Sequence, residues 1–399
     1  MSYVLPYASR SVSRGGCSIP VRGPLRIEDE LIHALDYLYS KGIVINRFHM
    51  TATTTGASET VSIARLTTYY NTTIDWGDGS APETLVANVT TARTHVYATA
   101  GTYPIVVNHA HLITQLRVED AKLGGINTAE LKYSVLTYFW VTLATGCTIN
   151  SADMVDWRPT TWRLYSMPAG TYDIDSADMV DWRPAHWYLY SMPAGTYDID
   201  STDMVDWRPT TWRLQSMPAG TYDIDSTDMV NWRPANWYLY SMPAGTYDID
   251  STDMVDWRPT YWWLHSMPAG TYDIDSTDMV NWRPADWRLY SMPAAGSSYS
   301  FAASCMRNWT DISTLKLENM GLPDATVDAI LMDIYAGLAG FTAAAPTLTI
   351  GGTNEAPSGT YQAPTGPGGT PTSGLEAVWI MTHNTGHTWT VAATGGSYP

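Results

Sequence analysis

The sequence predicts a mainly β protein built around a stacked solenoid of 25-residue coils, with a β-rich segment ahead of it and a shorter α/β stretch behind. Three observations carry that expectation. From Ser151 the segment SADMVDWRPTTWRLYSMPAGTYDID recurs in six near-identical copies, and the register holds until the last copy breaks at Ala295. A fixed period of roughly 20 to 50 residues marks coils that bury their apolar side only by stacking on neighbours. Composition agrees: 18 Trp, 26 Tyr and 18 Met stand against only 4 Phe among 399 residues, the skew that copying one short unit leaves behind. Within each copy, apolar and polar residues alternate between two prolines, which is the period of a strand.

Each coil divides at its punctuation. Pro159 and Pro168 bracket an aromatic and aliphatic segment suited to a short strand. Pro168-Ala169-Gly170 then turns the chain. A second extended piece, Thr171 to Ile174, leads to Asp175 or Ser176, either of which caps one helical turn before the next proline closes the coil. Alternation assigns the faces. Trp162 and Leu164, with Trp187/Leu189, Trp212/Leu214, Trp237/Leu239, Trp262/Leu264 and Trp287/Leu289, form an inner ladder with Met154, Met167 and Ile174, while Thr161, Arg163 and Tyr165 point outward.

The six copies form an alignment inside one chain. Position 161 recurs as His186, Thr211, Asn236, Tyr261 and Asp286; position 163 as Tyr188, Arg213, Tyr238, Trp263 and Arg288; position 165 as Tyr190, Gln215, Tyr240, His265 and Tyr290. Almost everything else is frozen, so one face of one sheet is free to change. Its residues are of the types enriched in interface hot spots. The expected ligand-binding stripe is therefore Arg163, Tyr165, His186, Tyr188, Tyr190, Arg213, Asn236, Tyr238, Tyr240, Tyr261, Trp263, His265, Asp286, Arg288 and Tyr290, standing exposed on successive coils. Drift on a solvated face is the plainer reading of the same variation, although drift seldom favours large aromatics. A longer rhythm, Thr160, Thr210 and Thr260 alternating with Ala185, Ala235 and Ala285, implies growth by copying a 50-residue pair.

The flanks follow in order. Residues 1–42 are expected to form an arm rich in Ser, Arg and Gly followed by an amphipathic helix, whose apolar positions 27, 31, 32, 35 and 38 have helical spacing and whose C-terminus is marked by Gly42. Residues 43–112 read as β. The run Ile74-Asp-Trp-Gly-Asp-Gly79, followed by His95-Val-Tyr97 and Gly101-Thr-Tyr-Pro-Ile105, resembles the PKD-like β-sandwich of extracellular and surface proteins, which implies a spacer or binding module without catalysis. Residues 113–300 form the solenoid, a degenerate leading coil preceding the regular copies, and 301–399 a terminal coil and cap. In that last stretch Trp309 to Leu317 looks like an ordinary leucine-rich coil, Pro323 to Tyr335 a helix, Thr347 to Pro357 a strand and turn, and Gly374 to Val391 a helix and final strand. The order resembles leucine-rich-repeat proteins of bacterial surfaces and of phage tails or fibres. The fold class implied is a PKD-like β-sandwich plus a leucine-rich-repeat-like solenoid with 25-residue coils and an α/β C-terminal cap. One departure is Met167 and its equivalents, which stand where that family often has an asparagine ladder.

Charge and chemistry narrow the function. A net charge of −17 repels phosphate backbones and anionic membranes, so neither nucleic acid nor membrane insertion is expected. Cys17, Cys147 and Cys305 share no ligand spacing, no apolar run spans a membrane, and the N-terminus lacks a secretory core, so a soluble chain beginning at Met1 is expected. Asp173, Asp175, Asp178 and Asp181 recur as a carboxylate ladder whose repulsion calcium could relieve, although capping and Arg158 offer a simpler relief. His109-x-His111 lacks a third ligand, and no nucleophile motif, zinc signature or phosphate loop occurs. The expectation is a non-enzymatic structural or adhesive protein of a virion, without cofactor, associating with copies of itself or other virion subunits and recognising a host-surface glycan or protein. A cell-surface or secreted bacterial adhesin is the alternative.

Overall fold

The computed structural model describes residues 46–398 except 294, 302, 303 and 385, so the N-terminal arm and the helix expected before Gly42 lie outside the described residues. The chain is mainly β. Among the described residues, a thirteen-stranded and a seven-stranded sheet form the walls of the solenoid, and a five-stranded sheet and a two-stranded ribbon make up the module ahead of it.

One coil shows why the repeat folds this way. Thr161–Tyr165 is a strand of the wide sheet, paired in parallel with His186–Tyr190 one repeat on, so that Trp162 faces Trp187 and Leu164 faces Leu189. All four are fully buried, as alternation requires. Ser166 then takes a left-handed conformation, φ 49°, which reverses the chain into the Pro-Ala-Gly turn, and its equivalents at 191, 216, 241, 266 and 291 do the same. Glycine is needed four residues later, at the end of that turn: a Cβ at Gly195 would stand 2.7 Å from the carbonyl oxygen of Tyr172 in the preceding coil. Thr171–Asp175 is a strand of the narrow sheet. Asp175 caps the 3-10 turn Ser176–Met179, accepting from the Ala177 N–H at 2.8 Å.

The inner ladder is a column of indoles. Trp162, Trp187, Trp212, Trp237, Trp262 and Trp287 lie nearly parallel, with centroids 5.1 to 5.9 Å apart. A second column from the D-W-R-P corner, Trp182 to Trp282, meets it edge-on at 5.9 to 6.1 Å. The Nε1 atoms of the stacked column have no hydrogen-bond partner, at about 1–3 kcal/mol each. Burying a ring of that size returns about 5 kcal/mol, so the column is a net gain.

The two walls advance differently. In the wide sheet each residue faces its own equivalent in the next coil, whereas in the narrow sheet Asp173 faces Thr196 and Asp175 faces Asp198. This corrects the expectation of identical aspartates stacked rung on rung. A shear of two residues preserves the face of every side chain because the strand period is two. It also leaves one facing carboxylate pair per junction, Asp175 with Asp198 and Asp200 with Asp223, in place of a full ladder.

The flanking segments share the solenoid's core, and one continuous cluster of buried apolar side chains runs from Phe48 to Ala393. Ahead of the coils, Arg47–Thr54 pairs with Gly101–Asn108, while Arg65–Thr68 leaves its neighbours to pair antiparallel with Ile113–Val118 at the edge of the wide sheet. Trp76 is buried, and the Tyr97 hydroxyl donates to its carbonyl at 2.9 Å. Gly77, at φ 77°, makes the turn that follows. The His109-x-His111 pair, expected on a strand, lies instead on a 3-10 turn, Ala110–Leu112, with His109 at φ 55°. Behind the coils, Thr314–Lys316, Thr347–Ile350 and Thr390–Ala393 continue the wide sheet in parallel. Helices α1 (Asp324–Ala336) and α2 (Gly374–His383) stand in this stretch. The Gly/Pro-rich segment before α2 is tied down by Glu376, which accepts from Thr365 and Thr372.

Candidate binding face

Every residue of the expected stripe lies on a strand of the wide sheet, on the side opposite the buried Trp and Leu positions. The stripe is not exposed as expected. Tyr261 alone reaches 39% exposure, His265 and Asp286 are buried at 6% and 8%, and the others are half-buried. Strands about 4.8 Å apart bring equivalent side chains to stacking distance, so neighbouring rungs cover one another.

Two columns result. At position 165 and its equivalents, Tyr165 stacks on Tyr190 at 4.5 Å, Tyr240 on His265 at 4.2 Å and His265 on Tyr290 at 4.1 Å. The column ends where the Lys316 ammonium sits 4.0 Å over Tyr290. At position 163 and its equivalents, cations and rings alternate except where Tyr238 meets Trp263 edge-on at 4.9 Å: Arg163 lies 4.4 Å from the Trp140 ring and 4.1 Å from Tyr188, Arg213 5.3 Å from Tyr238, and Arg288 4.1 Å from Trp263. Ring faces are thus largely spent on neighbouring rungs. What the surface offers outward is phenol hydroxyls, indole edges and the N–H edges of guanidinium groups.

The variable residues are matched to one another. Asp286 receives Arg288 through two bonds of 2.7 Å and the Trp263 indole at 3.1 Å; Arg213 donates to Gln215 and, at 2.9 Å, to the Tyr240 hydroxyl; Asn236 donates to Thr211 at 3.1 Å. Burial pushes the His265 imidazole down to about 3, with Arg288 and Lys316 adding to the effect, so it is a neutral ring within its stack. Burial also pushes the phenols of Tyr190 and Tyr238 up to about 12, which keeps them hydrogen-bonding hydroxyls.

Sequence reasoning stopped the stripe at the edges of the regular copies. The structure carries it further: Arg117, Trp140 and Lys316 stand in register with Arg163 and Arg288 on neighbouring strands, and Arg117 covers the other face of Trp140 at 3.9 Å. The signal was present in Tyr138-Phe-Trp-Val-Thr142, whose alternation matches Thr161 to Tyr165, but its spacing of 23 residues hid it.

Asp173, Asp175, Asp178 and Asp181 have separate surroundings, and the position of Asp181 becomes Asn231 and Asn281 in two later copies. Asp175 caps its turn; Asp178 accepts from Ser151 Oγ at 2.6 Å; Asp181 pairs with Arg158 at 3.3 Å. Asp173 is left with a 3.4 Å contact to Asn150, and its equivalents Asp198, Asp223 and Asp248 are raised from the ordinary aspartate value, first by desolvation and then by neighbouring aspartates. Among the described residues, no group of three or more His, Cys, Asp or Glu side chains is arranged to hold a metal ion, and no helix is long and apolar enough to cross a membrane. Compared with protein-family models, curated proteins and solved structures, the chain matches none.

Proposed function

We propose that the chain is a non-enzymatic adhesive solenoid, a structural repeat protein of a virion appendage such as a phage tail or fibre, which presents the outward face of its wide sheet to a surface glycan or protein. The observation that carries this reading is where the variation falls. The three most variable positions of every coil share that one face, while the tryptophan columns and the narrow sheet are nearly constant. A scaffold of this kind changes its surface without disturbing its core. Stacking holds the outward groups rigid, so little entropy is lost when they engage a ligand. The resemblance of residues 43–112 to a PKD-like sandwich, and of the coils to leucine-rich repeats, supports a surface setting. It equally favours the second reading, a bacterial cell-surface or secreted adhesin.

The test compares the protein with a Tyr238→Ala/Trp263→Ala variant on an array of neutral and acidic oligosaccharides and on whole bacterial cells. The expected result is retention of the unaltered chain and loss of retention in the variant, with circular dichroism showing both folded. Equal retention of the two refutes a binding role for the face.

A further inference from the structure

We propose that the ligand of this face is a linear acidic polysaccharide carrying one carboxylate on alternate sugars, its carboxylates received by Arg163 and Arg213. The inference rests on the adhesive reading above and names the ligand class. Its starting point is an imbalance. In a chain with 39 acidic and 22 basic residues, most cations should find a carboxylate. Arg117 has Glu119, Arg288 has Asp286, and the corner residues Arg158, Arg183 and Arg233 have Asp181, Asp206 and Asp256. Arg163 and Arg213 have none among the described residues; Arg208, Arg258 and Arg283 have none either, but they stand at the exposed corner and donate to carbonyls of their own turn, so on the outward face of the regular coils Arg163 and Arg213 are the unmatched arginines. Arg163 is pinned between Trp140 and Tyr188, and its buried Nε has no hydrogen-bond partner. Arg213 lies 4.2 Å over Tyr190 and bonds only to the neutral Gln215 and Tyr240.

Guanidinium groups held flat against rings are already ordered for a further contact, and the donors left for a carboxylate are the two Nη groups of Arg163 and Nη1 of Arg213, because the Arg163 Nε is buried and Gln215 and Tyr240 take Nε and Nη2 of Arg213. Spacing selects the ligand. Arg163 and Arg213 lie two strands apart in the wide sheet, on either side of the strand that carries Tyr188, which places them about 10 Å apart. Arg117 precedes Arg163 by the same two strands. An extended polysaccharide with a carboxylate on every second sugar repeats at a similar distance, and its intervening hydroxyls meet the phenol of Tyr188. A nucleic acid strand, with a charge every ~3.4 Å, presents too dense a row. The opposite wall of the molecule is acidic, with Asp173, Asp175 and their equivalents outward on the narrow sheet. The cationic face is therefore the side such a polymer can approach.

The test measures binding by calorimetry and affinity electrophoresis with hyaluronan, which has a carboxylate on alternate sugars, alginate, which has one on every sugar, and uncharged dextran. The expected order is hyaluronan above alginate, with dextran not retained. Arg163→Gln/Arg213→Gln should weaken hyaluronan binding by about tenfold or more, the loss of one to two charge-assisted hydrogen bonds. Arg163→Lys should recover only part of it. Arg183→Gln, which removes the same charge from a corner, should leave binding unchanged. Failure of hyaluronan to bind, or equal binding by the double variant, overturns the proposal. Retention of dextran or another neutral glycan that is lost on Tyr238→Ala/Trp263→Ala leaves the adhesive reading standing and removes the acidic ligand class. Salt-sensitive self-association, abolished by the same double variant and without hyaluronan binding, overturns it in favour of the acidic wall of a second copy.

Discussion

The regular coils and the cap behind them solve the same problem by different means. Both must satisfy backbone groups at corners pressed against a neighbour. In the coils the work is spread out as a relay. Ser226 accepts from the Asp250 N–H at 2.8 Å and donates to Asp253 at 2.7 Å, and its equivalents repeat the pattern from coil to coil. In the cap the work is concentrated. Buried Asn354 accepts from the N–H groups of Met320 and Leu322 and donates to the carbonyls of Leu317 and Ile350, while buried Asp333 accepts from the N–H groups of Ser304, Cys305 and Met306. The corner residue differs as well: Ser166 and its equivalents take the left-handed conformation in the coils, and Asn319, of a type that adopts it more readily, takes it in the cap. A relay tolerates the loss of one link. A hub does not.

That contrast can be broken by mutation, in decreasing order of expected effect. Trp212→Ala, which opens a cavity in the middle of the indole column, should destabilise by about 4 kcal/mol in urea titrations. Asn354→Ala strands two N–H groups and two carbonyls at once and should cost about 3 kcal/mol. Ser226→Ala removes one relay link and should cost about 1.5 kcal/mol. If the asparagine and serine changes cost the same, the distinction between hub and relay fails. On the outward face, Tyr240→Ala should cost about 1 kcal/mol, because its ring is stacked on His265; a cost near zero would return the stripe to a merely solvated face.

Acid should separate the same regions by sign. The Thr372 N–H, followed by the Thr365 hydroxyl, holds the Glu376 carboxyl down at about 2, so its stabilisation of the cap is intact above the usual carboxylate range and is lost as pH falls toward that value. Asp198, Asp223 and Asp248 are shifted the other way, first by desolvation. The folded coils therefore take up protons before the unfolded chain does, and gain stability as pH falls through the ordinary carboxylate range. Hydrogen exchange followed across that range should show protection lost in residues 358–376 while it is maintained or increased in 171–275. Simultaneous loss in both would sink the assignment.

The outward stripe shows where reading from sequence stopped. Alternation was enough to put Trp162 and Leu164 inside and Arg163 and Tyr165 outside, because a strand leaves no other choice once one face is apolar. It could not show that Tyr165 would cover Tyr190, or that His265 would be enclosed by Tyr240 and Tyr290. Those burials come from three strands acting together. Nor could it show that Trp140 belongs to the same column, since a coil two residues short of the period looks unrelated until pairing puts Trp140 beside Arg163.

The sequence by itself determined the coil: its length, its strand, turn and capped helical turn, its inward Trp162 and Leu164 equivalents and its variable face, all of which follow from period, punctuation and alternation within 25 residues. The tertiary structure decided what depends on neighbours: the two-residue shear of the narrow sheet, the passage of Arg65–Thr68 into the wide sheet, and the pairing that leaves Arg163 and Arg213 without a carboxylate. The physical reason is one of range. Local pattern fixes which way a side chain points, whereas its partner, its burial and its free hydrogen-bonding edge are fixed by residues about one coil away in sequence and one strand spacing away in space.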